Sequence, residues 1–324
     1  MGIKITEIEF AVPDNKSDLN NLKSEFYPWK TDEILKKTGV NTRHIADTKE
    51  TALDLAAKAS NLILRNQKKN SIDGIIFCTQ SPDYIIPSNS FLLQDKLSLR
   101  NDIFNFDFNH ACSGYIYSLI FADSFLSRNI VKKMLLINAD TYSKYINKKD
   151  RSTKALFGDA AAATIVEYDK TSNGIIDYNF YADGSGYKNF WIPKGASKVP
   201  ITKKDKNSNP EIEMNGLNVW SFINTIVPKQ INNILKKNNL CHKDIDHYIF
   251  HQSSLLSIES LIKKMDLDNN KVTINLDKFG NTVSASIPIA LKEAIQLNKI
   301  KSGAKVILSG FGAGLSSAVI LMQF

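Results

Sequence analysis

Ile103-Phe104-Asn105-Phe106-Asp107-Phe108-Asn109-His110-Ala111-Cys112-Ser113-Gly114 changes character at its middle. The first six residues alternate apolar and polar, the period of a strand. From Tyr115 to Leu126 the chain is apolar in a helical rhythm, without proline or internal glycine. Cys112 is therefore expected at a strand-to-helix turn, on the first turn of the helix. Free N–H groups and the positive dipole end of a helix favour a thiolate. A free cysteine is roughly 3% ionised at pH 7, and a pKa fall of about two units would make it mostly thiolate. A small buried core residue would fit the same local pattern. The rest of the chain decides between them.

With 324 residues and ordinary globular composition, one or two domains are expected. The three cysteines, Cys78, Cys112 and Cys241, are widely spaced and show no metal-type pairing. Met1 leads straight into strand-like alternation with no signal-peptide pattern, so a reducing cytoplasmic setting is expected. Val306 to Phe324 is uncharged and long enough to span a membrane. Gly310, Gly312 and Gly314 make it read instead as strand, glycine turn, strand, and no membrane association is expected. The net charge of +8 is scattered in pairs such as Lys36-Lys37 and Lys203-Lys204. Nucleic-acid binding would want clustered charge with interleaved aromatics, so a basic rim for a small acidic partner or phosphorylated ligand fits better.

Taken in order, residues 3–10 read as a strand and 17–38 as a helix ending at Gly39. A helix from Thr51, a buried strand Gly74 to Cys78 and a helix near Phe91 follow. Beyond Cys112 come strands at 134–139, 160–167 and 175–182, a basic surface loop at 194–210, and a helix over 216–237 kinked at Pro228. From His247 the order is strand, helix, strand, helix, strand, strand. Alternation of this kind argues for an α/β protein with parallel pairing.

An internal repeat refines that reading. Asp73-Gly-Ile-Ile-Phe-Cys-Thr-Gln-Ser aligns with Asp246-His-Tyr-Ile-Phe-His-Gln-Ser. In each copy a short buried strand, a polar turn and a helix are followed by an alternating strand ending near an aspartate, at Asn105-Phe106-Asp107 and Asn275-Leu276-Asp277. Each copy then turns into a long apolar helix, with Cys112 at the first such turn and Asn281 at the second. The chain thus divides into related halves, 1–170 and 171–324, with both turns facing across a pseudo-twofold. His251 ends a strand at the turn matching Cys78.

With Cys112, His251 and Asn281 in hand, the sequence resembles the β-ketoacyl-acyl-carrier-protein synthase III family of thiolase-fold condensing enzymes. The resemblance covers essentially the whole chain. It rests on Lys37-Thr-Gly-Val, Asp107 to Gly114, Phe157-Gly-Asp-Ala-Ala, Ala182-Asp-Gly-Ser and Met214-Asn-Gly-Leu-Asn-Val-Trp, together with His251-Gln-Ser-Ser, Phe279-Gly-Asn-Thr-Val-Ser-Ala-Ser-Ile-Pro and Gly310-Phe-Gly-Ala-Gly. A core cysteine, a strand-end histidine and a Gly-Asn turn would explain each residue singly, but not all three in this order and context.

The resemblance implies a five-layered α-β-α-β-α arrangement of two βαβ halves, and an acyltransferase. Cys112 would take an acyl group from a thioester. Decarboxylation of malonyl-acyl-carrier protein would then supply the enolate that reopens it, giving a β-ketoacyl thioester for fatty-acid or specialised acyl-chain biosynthesis. The backbone N–H groups of Cys112 and Ala313 would hold the oxyanion, and His251 and Asn281 the enolate oxygen. Arg151, Lys37, Asn218 and Gly216 would bind the thioester's phosphopantetheine. Ile86 would close the acyl pocket, contributed across a homodimer interface. Acyl carrier protein is the implied partner, and no cofactor or metal is implied beyond the thioester substrates.

This chain departs from the family pattern in thioester delivery. The tryptophan usual shortly before Arg-Thr-Gly is missing, Glu33 or Ile34 standing there, with Lys37 for arginine and Trp29 out of register. After His251 the chain reads Gln252-Ser-Ser-Leu-Leu256, which lacks an arginine. Loss of an aromatic stack and of a charge would each weaken coenzyme A by about 1–3 kcal/mol, so both acyl groups are expected on carrier protein. The alternative is a relative that passes the acyl group from Cys112 to an alcohol or amine, in a secondary-metabolite or surface-glycan pathway.

Overall fold

In the computed structural model, residues 2–25, 30–171, 174–202 and 209–324 are described. Trp29 and the Lys203-Lys204 pair lie outside them. The first sheet-forming half runs β1 (Gly2–Ala11), β2 (Lys16–Asp18), α1 (Leu19–Glu25), α2 (Thr31–Thr38), β3 (Thr42–His44), α3 (Ala52–Ile63) and β4 (Gly74–Cys78). It continues through α4 (Asn89–Leu97), β5 (Phe104–Phe108), α5 (Gly114–Ser127), β6 (Lys133–Asp140), α6 (Arg151–Lys154) and β7 (Ala160–Asp169). Then follow β8 (Gly174–Ala182), β9 (Phe190–Trp191), β10 (Glu213–Met214), α7 (Gly216–Lys237), β11 (His247–Phe250) and α8 (Leu255–Met265). The chain ends with α9 (Leu276–Phe279), α10 (Ser286–Gln296), β12 (Lys305–Gly312) and β13 (Ser316–Gln323).

Two sheets organise the molecule. The first has the order β1-β7-β6-β4-β5, the second β8-β13-β12-β11. In each, the two leading strands pair antiparallel, β6 and β12 run antiparallel to the strand before them, and β4 and β11 add in parallel. The central strands β4, β6, β7, β11, β12 and β13 are buried along most of their length, as strands of sheets covered on both sides must be. Ile76, Leu136 and Val166 of the first sheet, and Ile249, Leu308 and Ile320 of the second, pack on α5 and α10 between the sheets. Ile75, Phe77 and Ile137 face outward onto α3 and α4. Tyr248, Ile307 and Leu321 face outward onto α7 and α8. The result is five layers: helices, sheet, helices, sheet, helices.

Local reading of the sequence fails in three places. The predicted helix over 17–38 begins instead with β2, because Lys16-Ser17-Asp18 pairs antiparallel with Thr42-Arg43-His44. The helix resumes as α1 and α2, and α2 stops at Gly39, whose φ of 73° suits glycine. The strand predicted at Asn275-Leu276-Asp277 is the short helix α9. Asn275 N–H donates to the Gln252 side chain at 3.0 Å and the Asn275 amide to Glu293 at 2.9 Å, and Gly280 N–H closes the turn on Leu276. Val272 forms an isolated bridge to Tyr248, and among the described residues the second sheet lacks the partner that β5 is to β4. Third, Cys112 precedes its helix rather than sitting on the first turn, because Ser113 is the N-cap and α5 starts at Gly114. Helix α7 runs through Pro228 as one helix. The glycine run is a β12–β13 hairpin, and among the described residues no helix is long and apolar enough to cross a membrane.

Candidate active site

Parallel strands deliver the chemistry at their carboxyl ends. β4 and β5 end side by side at Cys78 and Phe108, and the chain passes from Phe108 to Cys112 in four residues. β11 ends at Phe250, and His251 follows, its N–H bonded to Ser309 of β12 at 2.8 Å. Asn281 arrives on the segment after α9. Its backbone bonds Leu156 and Gly158 at 2.9 and 3.0 Å, beside the bridge to Phe157. Cys112, His251 and Asn281 are all buried and line one cavity of about 700 Å³. Its inner end includes Phe157, Phe190 and Phe311; the exposed Leu217 and Leu256 mark its opening.

Neighbours set the hydrogen-bonding state of each polar group. Ser286 Oγ lies 2.7 Å from His251 Nδ1 and accepts the Gln252 N–H at 3.3 Å. While accepting that N–H the hydroxyl can still donate to Nδ1, an arrangement that places the ring proton on Nε2. Burial lowers the His251 pKa to about 3, so the ring is neutral at physiological pH. Phe311 meets the imidazole edge-on at 5.6 Å between ring centres. Asn281 Oδ1 accepts the Val283 N–H at 2.9 Å, which turns its NH2 toward the Ser253 carbonyl and the cavity. The site thus presents two neutral N–H donors beside a thiol.

The thiol departs from the helix-end expectation. Burial pushes the Cys112 pKa up, and the Asp140 charge adds to the rise, opposed only by its own backbone hydrogen bond. Cys112 therefore rests as a neutral thiol. The β12–β13 turn lies against it. A Cβ on Gly312 would come within 2.9 Å of Cys112 Sγ, and one on Gly310 within 2.8 Å of the Cys112 carbonyl oxygen. Close backbone approach is what requires glycine here. Ala313 follows Gly312 and packs against the same cluster, its carbonyl accepting Ser316 Oγ at 2.9 Å. Gly312→Ala is expected to displace the sulfur and slow acylation of Cys112 about 100-fold with little change in melting temperature, as measured by intact mass and thermal unfolding.

Of the other predicted site residues, Lys37, Arg151 and Gly216 line the cavity. Asn218 does not. It is exposed on the first turn of α7, its side chain donating to Asn189 at 2.8 Å and its backbone capped by Asn215. Ile86 is 83% exposed and lines no part of the cavity within one chain. Sequence reading missed Ser286, Trp220 and Leu217. Ser286 lies in the quoted Phe279–Pro288 motif, but nothing in the spacing signals its reach to His251. The other two lie in the quoted Met214–Trp220 stretch, where a helical face would have grouped Gly216, Trp220 and Ile223.

Residues 106–184 match the family description 3-oxoacyl-[acyl-carrier-protein] synthase III, and residues 235–324 match its C-terminal counterpart. The chain is 34% identical over 330 aligned residues to the beta-ketoacyl-[acyl-carrier-protein] synthase III of Syntrophomonas wolfei, covering 100% of this chain and 98% of that one. Identity to the protein of the same name from Wolbachia pipientis subsp. Culex pipiens is 40%, over 90% of each. A crystal structure of a 3-oxoacyl-(acyl-carrier-protein) synthase III superposes with a TM-score of 0.96 at 30% identity, covering 100% of both chains. A cysteine, a neutral histidine and an asparagine meeting in one buried cavity accord with these likenesses: the chain belongs to the 3-oxoacyl-[acyl-carrier-protein] synthase III family of thiolase-fold condensing enzymes.

Proposed function

We propose that this acyltransferase joins an acyl group carried on Cys112 to the enolate of malonyl-acyl-carrier protein, releasing carbon dioxide and a β-ketoacyl thioester. The observation that carries the reading is the convergence of Cys112, His251 and Asn281 on one buried cavity end. Cys112 Sγ adds to the donor thioester, its proton leaves with the departing carrier thiol, and an acyl-enzyme remains. The backbone N–H groups of Cys112 and Ala313 hold the tetrahedral oxyanion. In the second stage His251 Nε2–H and Asn281 Nδ2–H donate to the malonyl thioester oxygen as carbon dioxide departs. The enolate carbon then attacks the acyl carbonyl, and the cysteine sulfur leaves as thiolate and takes up a proton from water. Neither donor must lose a proton, so both act unchanged through the cycle. No resident cofactor or metal takes part, and the reaction belongs in the cytoplasm.

Arg151 and Lys37, at the cavity wall, bind the phosphopantetheine arm with Gly216. Leu256 stands at the opening where the family usually has an arginine, and the usual tryptophan before Lys37 is missing, which favours thioesters presented by acyl carrier protein over coenzyme A. The halves 1–170 and 171–324 contribute nucleophile and donors respectively. A second copy pairs at β5, the free edge of the first sheet, where Phe104, Phe106 and Phe108 are half-buried against Phe121 and Phe125. Such pairing would also cover the exposed Tyr84-Ile85-Ile86 loop and bring Ile86 to the partner's acyl pocket. Phe106→Glu is expected to give a monomer by light scattering, with acyl-chain selection lost.

Intact-mass measurement tests the reaction. Incubation with acyl-carrier or acyl-coenzyme A donors should add one acyl group at Cys112, which malonyl-carrier protein then discharges with release of carbon dioxide. Acylation that persists in Cys112→Ala refutes the assignment. Discharge by an alcohol or amine without decarboxylation would mean an acyltransferase of the other kind, and equal use of coenzyme A would overturn the carrier preference.

A further inference from the structure

β6 ends on Asp140, a fully buried carboxylate that the reaction above does not use. Its two oxygens face different halves of the chain. Oδ1 accepts the Gln80 backbone N–H at 2.8 Å and lies 3.4 Å from the hydroxyls of Thr79 and Ser81, all on the turn after β4. Oδ2 accepts the Ser284 hydroxyl at 2.7 Å, across 144 residues of sequence. Each contact is passed on toward the site. The Gln80 side chain donates to Asn109 Oδ1 at 2.9 Å, three residues before the nucleophile, and its Oε1 accepts the Tyr142 hydroxyl. Ser284 lies between Asn281 and Ser286, the hydroxyl partner of His251.

A buried carboxylate without a cation is costly to keep. Its partners here are a backbone N–H and hydroxyls. The titratable groups its charge reaches are Cys78 from β4, Cys112 from the nucleophile's turn, and Tyr142 and Tyr145 after β6, all neutral at rest. Asp159, at the head of β7, is turned to Ala46 N–H and Ser143. The loop of Ser284 brings no charge. We propose that Asp140 is a positioning residue of this reaction: by bonding one oxygen to each half, it sets the spacing between the Cys112 turn and the loop of Asn281 and Ser286. Burial raises its own pKa to about 7, and its charge is one of the two influences that raise that of Cys112.

The proposal rests on the roles given above to Cys112, His251 and Asn281. Ser284→Ala cuts the strut on the donor side only. It should slow decarboxylation of malonyl-carrier protein about tenfold while Cys112 acylation changes less than about twofold. Asp140→Asn removes the charge at constant shape, so alkylation of Cys112 by iodoacetamide should reach its midpoint at lower pH. Equal losses in both half-reactions of Ser284→Ala, or none, would overturn the proposal, as would an unmoved alkylation midpoint in folded Asp140→Asn. If the unaltered protein takes no acyl group on Cys112, the reaction assignment fails, whereas the alkylation midpoints still test Asp140.

Discussion

His251→Ala and Asn281→Ala are each expected to slow decarboxylation of malonyl-carrier protein by about 100- to 1,000-fold while leaving acylation of Cys112 nearly intact. One preorganised donor to a developing oxyanion is worth that much in a dry site. Both side chains are turned toward the cavity by a partner behind them, Ser286 for the ring and Val283 N–H for the amide. The losses should not add in the double variant, because the two donors share one oxygen. The pH profile separates this role from proton transfer. With its pKa lowered to about 3 by burial, His251 stays neutral from pH 5 to 8, so it contributes no limb there. A limb near pH 6.5 in the decarboxylation rate, abolished by His251→Ala, would mean that the imidazole titrates and would sink the donor assignment. Ser286→Ala should weaken decarboxylation less than His251→Ala, since it frees the ring to turn without removing it.

Gly158→Ala should destabilise the whole protein more than any substitution at the cavity wall. A Cβ at this position would be driven into the carbonyl oxygen of Phe279, a backbone atom with no room to retreat. Gly158 N–H also bonds the Asn281 carbonyl at 3.0 Å, so relief by movement would carry Asn281 away from the site. A loss of about 3 kcal/mol is expected, read as a fall in melting temperature of roughly 5 °C or more. What folded protein remains should acylate Cys112 yet decarboxylate poorly. A stable variant with full activity would show that the backbone between Leu156 and Asp159 yields more easily than its bonds suggest.

The sequence carries the strands and helices wherever their cause is local. Runs such as Gly74 to Cys78 and Val306 to Leu308 are apolar throughout because both faces are covered, and α3 follows its helical rhythm from the Thr51 cap. Long-range causes stayed hidden. Lys16-Ser17-Asp18 is a strand only because Thr42-Arg43-His44 lies beside it. Asn275 leaves strand geometry because Gln252 and Glu293, distant in sequence, claim its polar groups. The site shows the same division. Cys112, His251 and Asn281 stand in motifs of recognisable order, so their meeting was legible. The ionisation of Cys112 was not, since a helix end can be read from a pattern whereas complete burial next to Asp140 cannot. Asn218 sits one helical step from Leu217, yet its amide is held by Asn189, a partner that spacing does not reveal.

The unequal ends of the two sheets have a consequence for growth. In the first sheet β5 is left open, whereas in the second β11 meets the Val272 bridge, and the opposite margins, β1 and β8, lie against each other. Of the two large sheets, among the described residues, β5 is thus the one margin left open. Two copies joined there across a twofold axis would consume both margins and close, because a third chain would find nothing to continue. A filament would need a second open margin on every copy. Where Val272 to Phe279 makes one bridge and the short helix α9 instead of a full strand, the second sheet gains no further open edge of its own.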